Sequence, residues 1–112
     1  MTGEGEARGA IGRLGELDRL LHEPARLAIA ACLSVVEKAD FVFLQNQTGF
    51  TAGNLSSHIS KLEDAGYVRV QKRFVGKRPQ THLSLTASGR LAFDGYRAAM
   101  QSVLDGIASP VD

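Results

Sequence analysis

Residues 51–68, TAGNLSSHISKLEDAGYV, decide the fold of this chain. Thr51 can begin a helix, because its hydroxyl can accept a hydrogen bond from a backbone N–H of the first turn. Asn54 stands where a capping box would have an acid. Three apolar residues then recur at helical spacing and predict a buried face: Leu55, Ile59 and Leu62. The stretch therefore predicts one amphipathic helix that ends at Gly66.

The residues before Thr51 predict a second short helix and a tight turn. Residues 40–43 are typical of a brief strand, and residues 44–48 of a short helix. Gly49 can adopt the left-handed conformation that stops a helix. Two short helices separated only by Gly49, Phe50 and Thr51 predict a helix-turn-helix.

After Gly66 the pattern changes from helical spacing to alternation, which predicts a β-hairpin. Residues 67–74 and 80–86 are the two predicted strands, and residues 75–79 are the predicted turn. The tip of this hairpin is basic, with Lys77 and Arg78. Thr86 is the predicted N-cap of a final helix whose apolar residues continue to Ile107.

Three further segments are predicted at the N-terminal end. Residues 1–12 contain four glycines and are expected to form a flexible tail. Apolar residues at helical spacing predict a helix over about residues 11–22, and Pro24 can begin a central helix that runs to about residue 38. The expected fold is one α+β domain over residues 13–112, mostly helical, with a two- to three-stranded antiparallel hairpin and dimerisation helices at both ends. Ile11, Leu14, Leu17 and Leu21 form one terminal apolar strip, and apolar residues from 92 to 107 form the other.

Composition excludes several classes of protein. The chain has 112 residues, of which 44% are hydrophobic. Its longest nearly apolar run, residues 27–36, is well short of the ~18–20 residues of a membrane span. The N-terminus lacks a signal-peptide pattern, and the single cysteine excludes an internal disulfide and a Cys-x-x-Cys site. We therefore expect a cytoplasmic protein rather than a secreted, membrane-spanning or zinc-finger protein.

The net charge of +1 conceals a strong asymmetry. Residues 65–93 contain six basic residues and no acid, whereas the rest of the chain is acidic overall. This block is compatible with a surface that faces a polyanion and, equally, with an ordinary solvated hairpin.

The outward face of the helix that follows Thr51 is small and polar. Opposite the apolar stripe lie Gly53, Asn54, Ser57, Ser60 and Lys61. A helix that enters the ~12 Å major groove of DNA needs short side chains there, with donors and acceptors for base edges. Because any exposed helix face is polar, this composition by itself is weak evidence for DNA binding. The position of the helix directly before a basic hairpin strengthens that interpretation.

Two motifs resemble those of winged helix-turn-helix transcriptional regulators of the MarR/ArsR-like type, which are small single-domain proteins of bacteria and archaea. Residues 51–68 resemble the recognition helix and first wing strand, and residues 85–90, LTASGR, resemble the end of the wing. The resemblance implies a homodimer that binds double-stranded DNA, with a pseudo-palindromic operator as the expected target. Carried over to this sequence, it implies DNA contacts by Thr51, Asn54, Ser56, Ser57, Lys61, Arg73, Lys77 and Arg78.

The remaining reactive side chains are expected to have structural rather than catalytic roles. Cys32 lies in the most apolar predicted helix and is expected to be a buried thiol. His58 is expected to be a hydrogen-bonded structural histidine, and the adjacent Glu63 and Asp64 point in different directions on a helix. We expect no catalytic activity, no cofactor and no metal site. The alternative function is a winged-helix module that binds other proteins, for which large exposed apolar residues on the binding face would be typical.

Overall fold

The computed structural model describes residues 3–107 and has the α+β winged-helix architecture that the sequence predicts. The elements follow the order α1 (Gly3–Arg13), a 3₁₀ turn (Leu14–Glu16), α2 (Pro24–Ser34), β1 (Ala39–Asp40), α3 (Phe41–Thr48), α4 (Ala52–Asp64), β2 (Val68–Val75), β3 (Arg78–Leu85) and α5 (Ala87–Gly106). We call β2, β3 and the turn between them the wing. No helix within residues 3–107 is long and apolar enough to cross a membrane.

The junctions of the helix-turn-helix form as predicted. Gly49 ends α3 with a φ of 74°. The hydroxyl of Thr51 then accepts a hydrogen bond from the backbone N–H of Asn54 at 3.1 Å. The predicted strand over residues 40–43 is wrong after Asp40, because α3 begins at Phe41. The Asp40 carboxylate caps this helix by accepting a hydrogen bond from Phe43 N–H. The core below this unit contains Ile29, Leu33, Leu44, Leu55, Ile59, Leu62 and Leu83.

The sheet has the order β1-β3-β2 and is antiparallel throughout. The pairing of β2 with β3 extends from Val68 opposite Leu85 to Val75 opposite Arg78. Only Gly76 and Lys77 remain for the turn, and Gly76 has the positive φ, 64°, that a tight turn requires. The predicted five-residue turn over residues 75–79 is therefore wrong, since strand pairing continues almost to the tip.

The N-terminal prediction is wrong in two respects. The structure has a helix, α1, over most of the predicted tail, with Met1 and Thr2 outside the described residues. The predicted helix over residues 11–22 is α-helical only at residues 11–13, the end of α1. The 3₁₀ turn and irregular backbone follow, because the Asp18 carboxylate accepts hydrogen bonds from Leu20 N–H and Leu21 N–H. Packing on α5 explains α1: Ala10 is fully buried where it meets Gly106.

The central helix α2 ends at Ser34, before the predicted end at about residue 38. Residues 35–38 instead lead the chain to Ala39, which pairs with Leu83 at the edge of the sheet. Cys32 is half-buried and packs against the core, so the prediction of a buried thiol holds only in part.

The start of α5 is fixed to the junction between α4 and β2. Thr86 caps α5 by accepting a hydrogen bond from Gly89 N–H, as predicted. Its own N–H donates to the carbonyl of Tyr67 at 3.0 Å, and its hydroxyl donates to the carbonyl of Gly66 at 2.6 Å. The Tyr67 hydroxyl donates to the Asp18 carboxylate at 2.5 Å, which raises the pKa of Tyr67, with burial adding to the effect.

Candidate nucleic-acid interface

Helix α4 buries one face and exposes the other along its whole length. Leu55, Ile59 and Leu62 are buried as predicted. The five residues of this region expected to contact DNA are all exposed: Thr51, Asn54, Ser56, Ser57 and Lys61. None of the exposed large apolar side chains of residues 4–107 lies on α4. The outward face can therefore approach another surface closely and offer hydroxyl, amide and ammonium groups to it.

A cluster at the start of α2 holds α4 in place from behind. The Arg26 guanidinium donates a hydrogen bond to Nδ1 of His58 at 3.2 Å, and an oxygen of Glu23 lies 3.7 Å from the same nitrogen. Burial alone would raise the pKa of Glu23. The backbone N–H groups of Arg26 and Ala25, together with the neighbouring side chains of His58 and Arg26, outweigh it and hold that pKa below its usual value. His58 is thus the hydrogen-bonded structural histidine that the sequence predicts.

The wing carries the three basic residues predicted to contact DNA. Arg73, Lys77 and Arg78 are all exposed, and none of them is in a salt bridge within the part of the chain that the structure describes. Arg73 lies opposite Gln80, and Arg78 lies opposite Val75. Lys77 occupies the turn itself. Their charges are free to act on a partner.

Strand register divides the wing into two faces. Arg73 and Arg78 lie on one face with Arg69. The other face carries Val70, Lys72 and Phe74, with their partners Leu83, Thr81 and Pro79. Val70, Lys72, Thr81 and Leu83 line a cleft of about 300 Å³ together with Ser56, Ser60 and Glu63 of α4. The second face is therefore the one turned toward α4.

This geometry separates seven of the eight predicted contact residues into three groups, and Thr51 precedes them as the N-cap of α4. Asn54, Ser57 and Lys61 lie on the outward face of α4, whereas Ser56 faces the cleft beside the wing. The three basic residues form the third group on the wing. The sequence reasoning missed Lys72 as a member of the cleft, although the alternation of the hairpin places it on the same face as Val70.

Comparisons with known proteins agree with this architecture. Residues 25–104 match the family described as a winged helix DNA-binding domain. The uncharacterized protein MJ0432 of Methanocaldococcus jannaschii is 33% identical over 78 residues, which cover 70% of this chain and 85% of that protein. A transcriptional regulator homologue from Pyrococcus horikoshii OT3 is 32% identical, with a TM-score of 0.82 over 88% of this chain and 99% of that chain.

More distant solved structures share the fold. A MarR-family transcriptional regulator from Silicibacter pomeroyi is 22% identical, with a TM-score of 0.62 over 92% of this chain and 64% of that chain. Overoxidized AbfR bound to DNA is 15% identical, with a TM-score of 0.66 over 88% of this chain and 67% of that chain. The match over residues 25–104 includes α4, the wing and most of α5. The chain thus belongs to the winged helix DNA-binding domain family and has the fold of MarR-type transcriptional regulators.

Proposed function

We propose that this protein is a transcriptional regulator that binds a specific double-stranded DNA sequence as a homodimer. The observation that carries the proposal is the exposure of all eight expected contact residues on two neighbouring elements, α4 and the wing. The DNA in the AbfR structure supports the same partner for this chain. A regulator of this kind acts on the chromosome, in the cytoplasm. The lack of large exposed apolar residues on α4 favours DNA over a protein partner there.

In the proposal α4 enters the major groove. Asn54 can form a bidentate pair with adenine, and the hydroxyls of Thr51, Ser56 and Ser57 can bond to base edges or phosphates. Lys61 can bind a guanine edge or a phosphate. The short side chains allow the helix backbone to lie deep in the groove.

The wing supplies the sequence-independent part of the affinity. Arg73, Lys77 and Arg78 contact phosphates or enter the minor groove, whose negative potential attracts cations where the groove is narrow. The absence of acids over residues 65–93 of the sequence supports this role, because nothing on the hairpin repels the phosphates.

The ends of the chain supply the dimer contact. Leu17, Leu21, Phe93, Tyr96 and Val103 are buried within the protomer, so part of each terminal apolar strip folds back on its own core. Apolar side chains nevertheless stay exposed where α1 packs on the end of α5: Ile11, Leu14, Leu104 and Ile107. Burying them against a symmetry mate presents two copies of α4 to half-sites ~10 bp apart, or a multiple of that.

Salt dependence tests the wing. Each phosphate contact adds about 0.9 to the magnitude of the slope of log K against log salt concentration. Lys77→Ala should therefore lower that magnitude by about 2 in a dimer, which loses two contacts. Arg8→Ala is the matched control, because it removes the same charge from an exposed position on α1. Equal slopes for wild type and Lys77→Ala would remove Lys77 from the interface.

Sequence discrimination tests α4. Binding to fragmented genomic DNA, followed by sequencing, first gives a cognate duplex. On that duplex Asn54→Ala should cost about 1–3 kcal/mol, with a much smaller loss on random DNA. Asn46→Ala on α3 removes the same amide from another exposed position and should leave the ratio of the two affinities unchanged. Equal losses on both duplexes for Asn54→Ala would contradict direct reading of bases.

Sedimentation tests the dimer. Leu104→Lys places a charge on a side chain that is 58% exposed in the protomer, so the protomer itself should stay folded. We expect a wild-type dimer and a monomeric variant whose DNA binding falls steeply. A wild-type chain that is monomeric at micromolar concentration and still binds one half-site tightly would contradict the dimer.

A further inference from the structure

Phe74 is an unusual residue to find near the tip of the wing. Its side chain is 76% exposed, more than any other aromatic side chain of the described residues. Its cross-strand partner, Pro79, is also exposed, so the two form an apolar pair on the surface of the wing. Leaving a phenylalanine in water forgoes the stabilisation that burial would give it. Together with Pro79 it gives the wing tip a small apolar surface that a partner can cover.

The register of the wing fixes the side on which this pair lies. Val70 and Lys72 line the cleft beside Ser56 and Ser60 of α4. Phe74 is the next residue along the same face, two positions closer to the tip. A partner that lies along the outward face of α4 and extends past the cleft therefore meets Phe74 and Pro79.

The charges around the pair define the chemistry of that partner. Lys72 lies on the same face as Phe74, whereas Arg73 and Arg78 lie on the opposite face and Lys77 occupies the turn. An apolar protein surface that covered Phe74 would have to desolvate Lys72 without pairing it, which is costly. The minor groove of DNA has apolar deoxyribose walls between two rows of phosphates. It is ~6 Å wide, and other proteins place apolar side chains in it.

We infer that Phe74, backed by Pro79, packs against the deoxyribose walls of the minor groove next to the site that α4 reads. This inference rests on the proposed function and adds an apolar contact to the cationic ones of the wing. The cations neutralise the flanking phosphates while the ring excludes water from the sugars. The pair thereby holds the wing tip in the groove independently of the ionic strength.

The salt dependence of binding separates this contact from the cationic contacts. Fluorescence anisotropy with the cognate duplex should show that Phe74→Ala weakens binding about tenfold for a dimer with two wings. The slope of log K against log salt should stay at the wild-type value, because an apolar contact releases no counterions. Phe74→Leu should restore most of the affinity. Leu91→Ala is the matched control, since Leu91 is 75% exposed on α5, and it should bind like wild type.

Hydroxyl-radical footprinting locates the contact, because the radical attacks deoxyribose from the minor groove. Phe74→Ala should lose protection at the sugars that flank each half-site and keep it within the half-site. Wild-type affinity and footprint for Phe74→Ala would overturn the inference and leave the proposed function intact. A change in the sedimentation of Phe74→Ala would make a second copy the occupant and would also overturn it. Failure of the wild-type chain to select any duplex would instead reject the proposed function.

Discussion

Gly89 is the residue whose replacement best tests how the wing is joined to α5. A Cβ atom built on Gly89 would lie 2.0 Å from the carbonyl oxygen of Tyr67 and 2.9 Å from its Cα. Both atoms belong to the backbone, so no side-chain rotation relieves the overlap. The same carbonyl accepts the hydrogen bond from Thr86 N–H that seats the start of α5. Gly89→Ala must therefore move the two backbones apart and disrupt that bond.

The expected cost follows from three contributions. Overpacking of a buried site costs about 1–3 kcal/mol, and loss of one hydrogen bond costs about 1 kcal/mol. Alanine in a helix offsets about 1 kcal/mol of this relative to glycine. We therefore expect Gly89→Ala to lower the free energy of unfolding by about 2 kcal/mol, which corresponds to about 10 °C in Tm for a domain of this size.

Gly95 on the same helix gives the matched control. It is exposed, and a Cβ atom added there meets nothing within 4 Å. Gly95→Ala should thus stabilise the protein by about 0.5–1 kcal/mol through helix propensity alone. Urea unfolding followed by circular dichroism, at one protein concentration for all variants, measures both values. Equal stability of the two variants would refute the close packing of α5 against the wing base.

Three further outcomes follow from other contacts. The folded state lowers the pKa of Glu23 below its usual 4.5, so the ionised carboxylate stabilises the fold above pH 4.5. This stabilisation is lost as the pH falls through the lowered pKa. Glu23→Gln should therefore make the stability of the protein depend less on pH in the acid range. Tyr67→Phe removes the hydrogen bond to Asp18 and should cost about 1–3 kcal/mol at pH 7. Because the folded state raises the pKa of Tyr67 above its usual 10.0, this cost should shrink as the pH rises above 10.0, where the unfolded chain ionises the tyrosine. Gly106→Val should speed amide exchange in α1 more than in α4, because its Cβ would lie 2.6 Å from a side chain of α1, whereas Gly12→Ala should not.

The sequence predicts correctly those features of the structure that depend only on residues close together in the chain. Gly49, Thr51 and Thr86 act as the sequence predicts, because a left-handed stop or a side-chain cap needs only its neighbours along the chain. The apolar stripe of α4 is correct for the same reason. The outward exposure of Asn54, Ser57 and Lys61 then follows directly from helix geometry.

The errors arise where distant residues decide the outcome. Residues 3–13 are rich in glycine and have little helix propensity of their own, so α1 depends on its contact with α5. Pro79 indicated a turn, yet it lies within β3. It is tolerated there because β1 pairs only with His82 and Leu83, which leaves the outer edge of β3 unpaired at Pro79.

The faces of the wing could be derived only in part. Alternation alone puts Lys72 and Phe74 together and Arg73 on the opposite side. It cannot say which side faces α4, because that depends on how the hairpin packs. The cleft that Ser56 and Lys72 line shows that the face with Lys72 is the one turned toward α4. Phe74 lies on that face and is exposed, which makes it a candidate contact.

The joint at Tyr67 connects the two halves of the proposed mechanism. Its N–H donates to the carbonyl of Leu62 near the end of α4, its carbonyl accepts from Thr86 at the start of α5, and Gly89 allows the two backbones to touch. The helix proposed to read DNA and the helix proposed to carry the dimer contact are thus connected through one residue. These backbone contacts define the angle between α4 and α5. In the proposed symmetric dimer that angle would set the distance between the two copies of α4, so the expected spacing of the half-sites depends on this joint as much as on the proposed dimer interface.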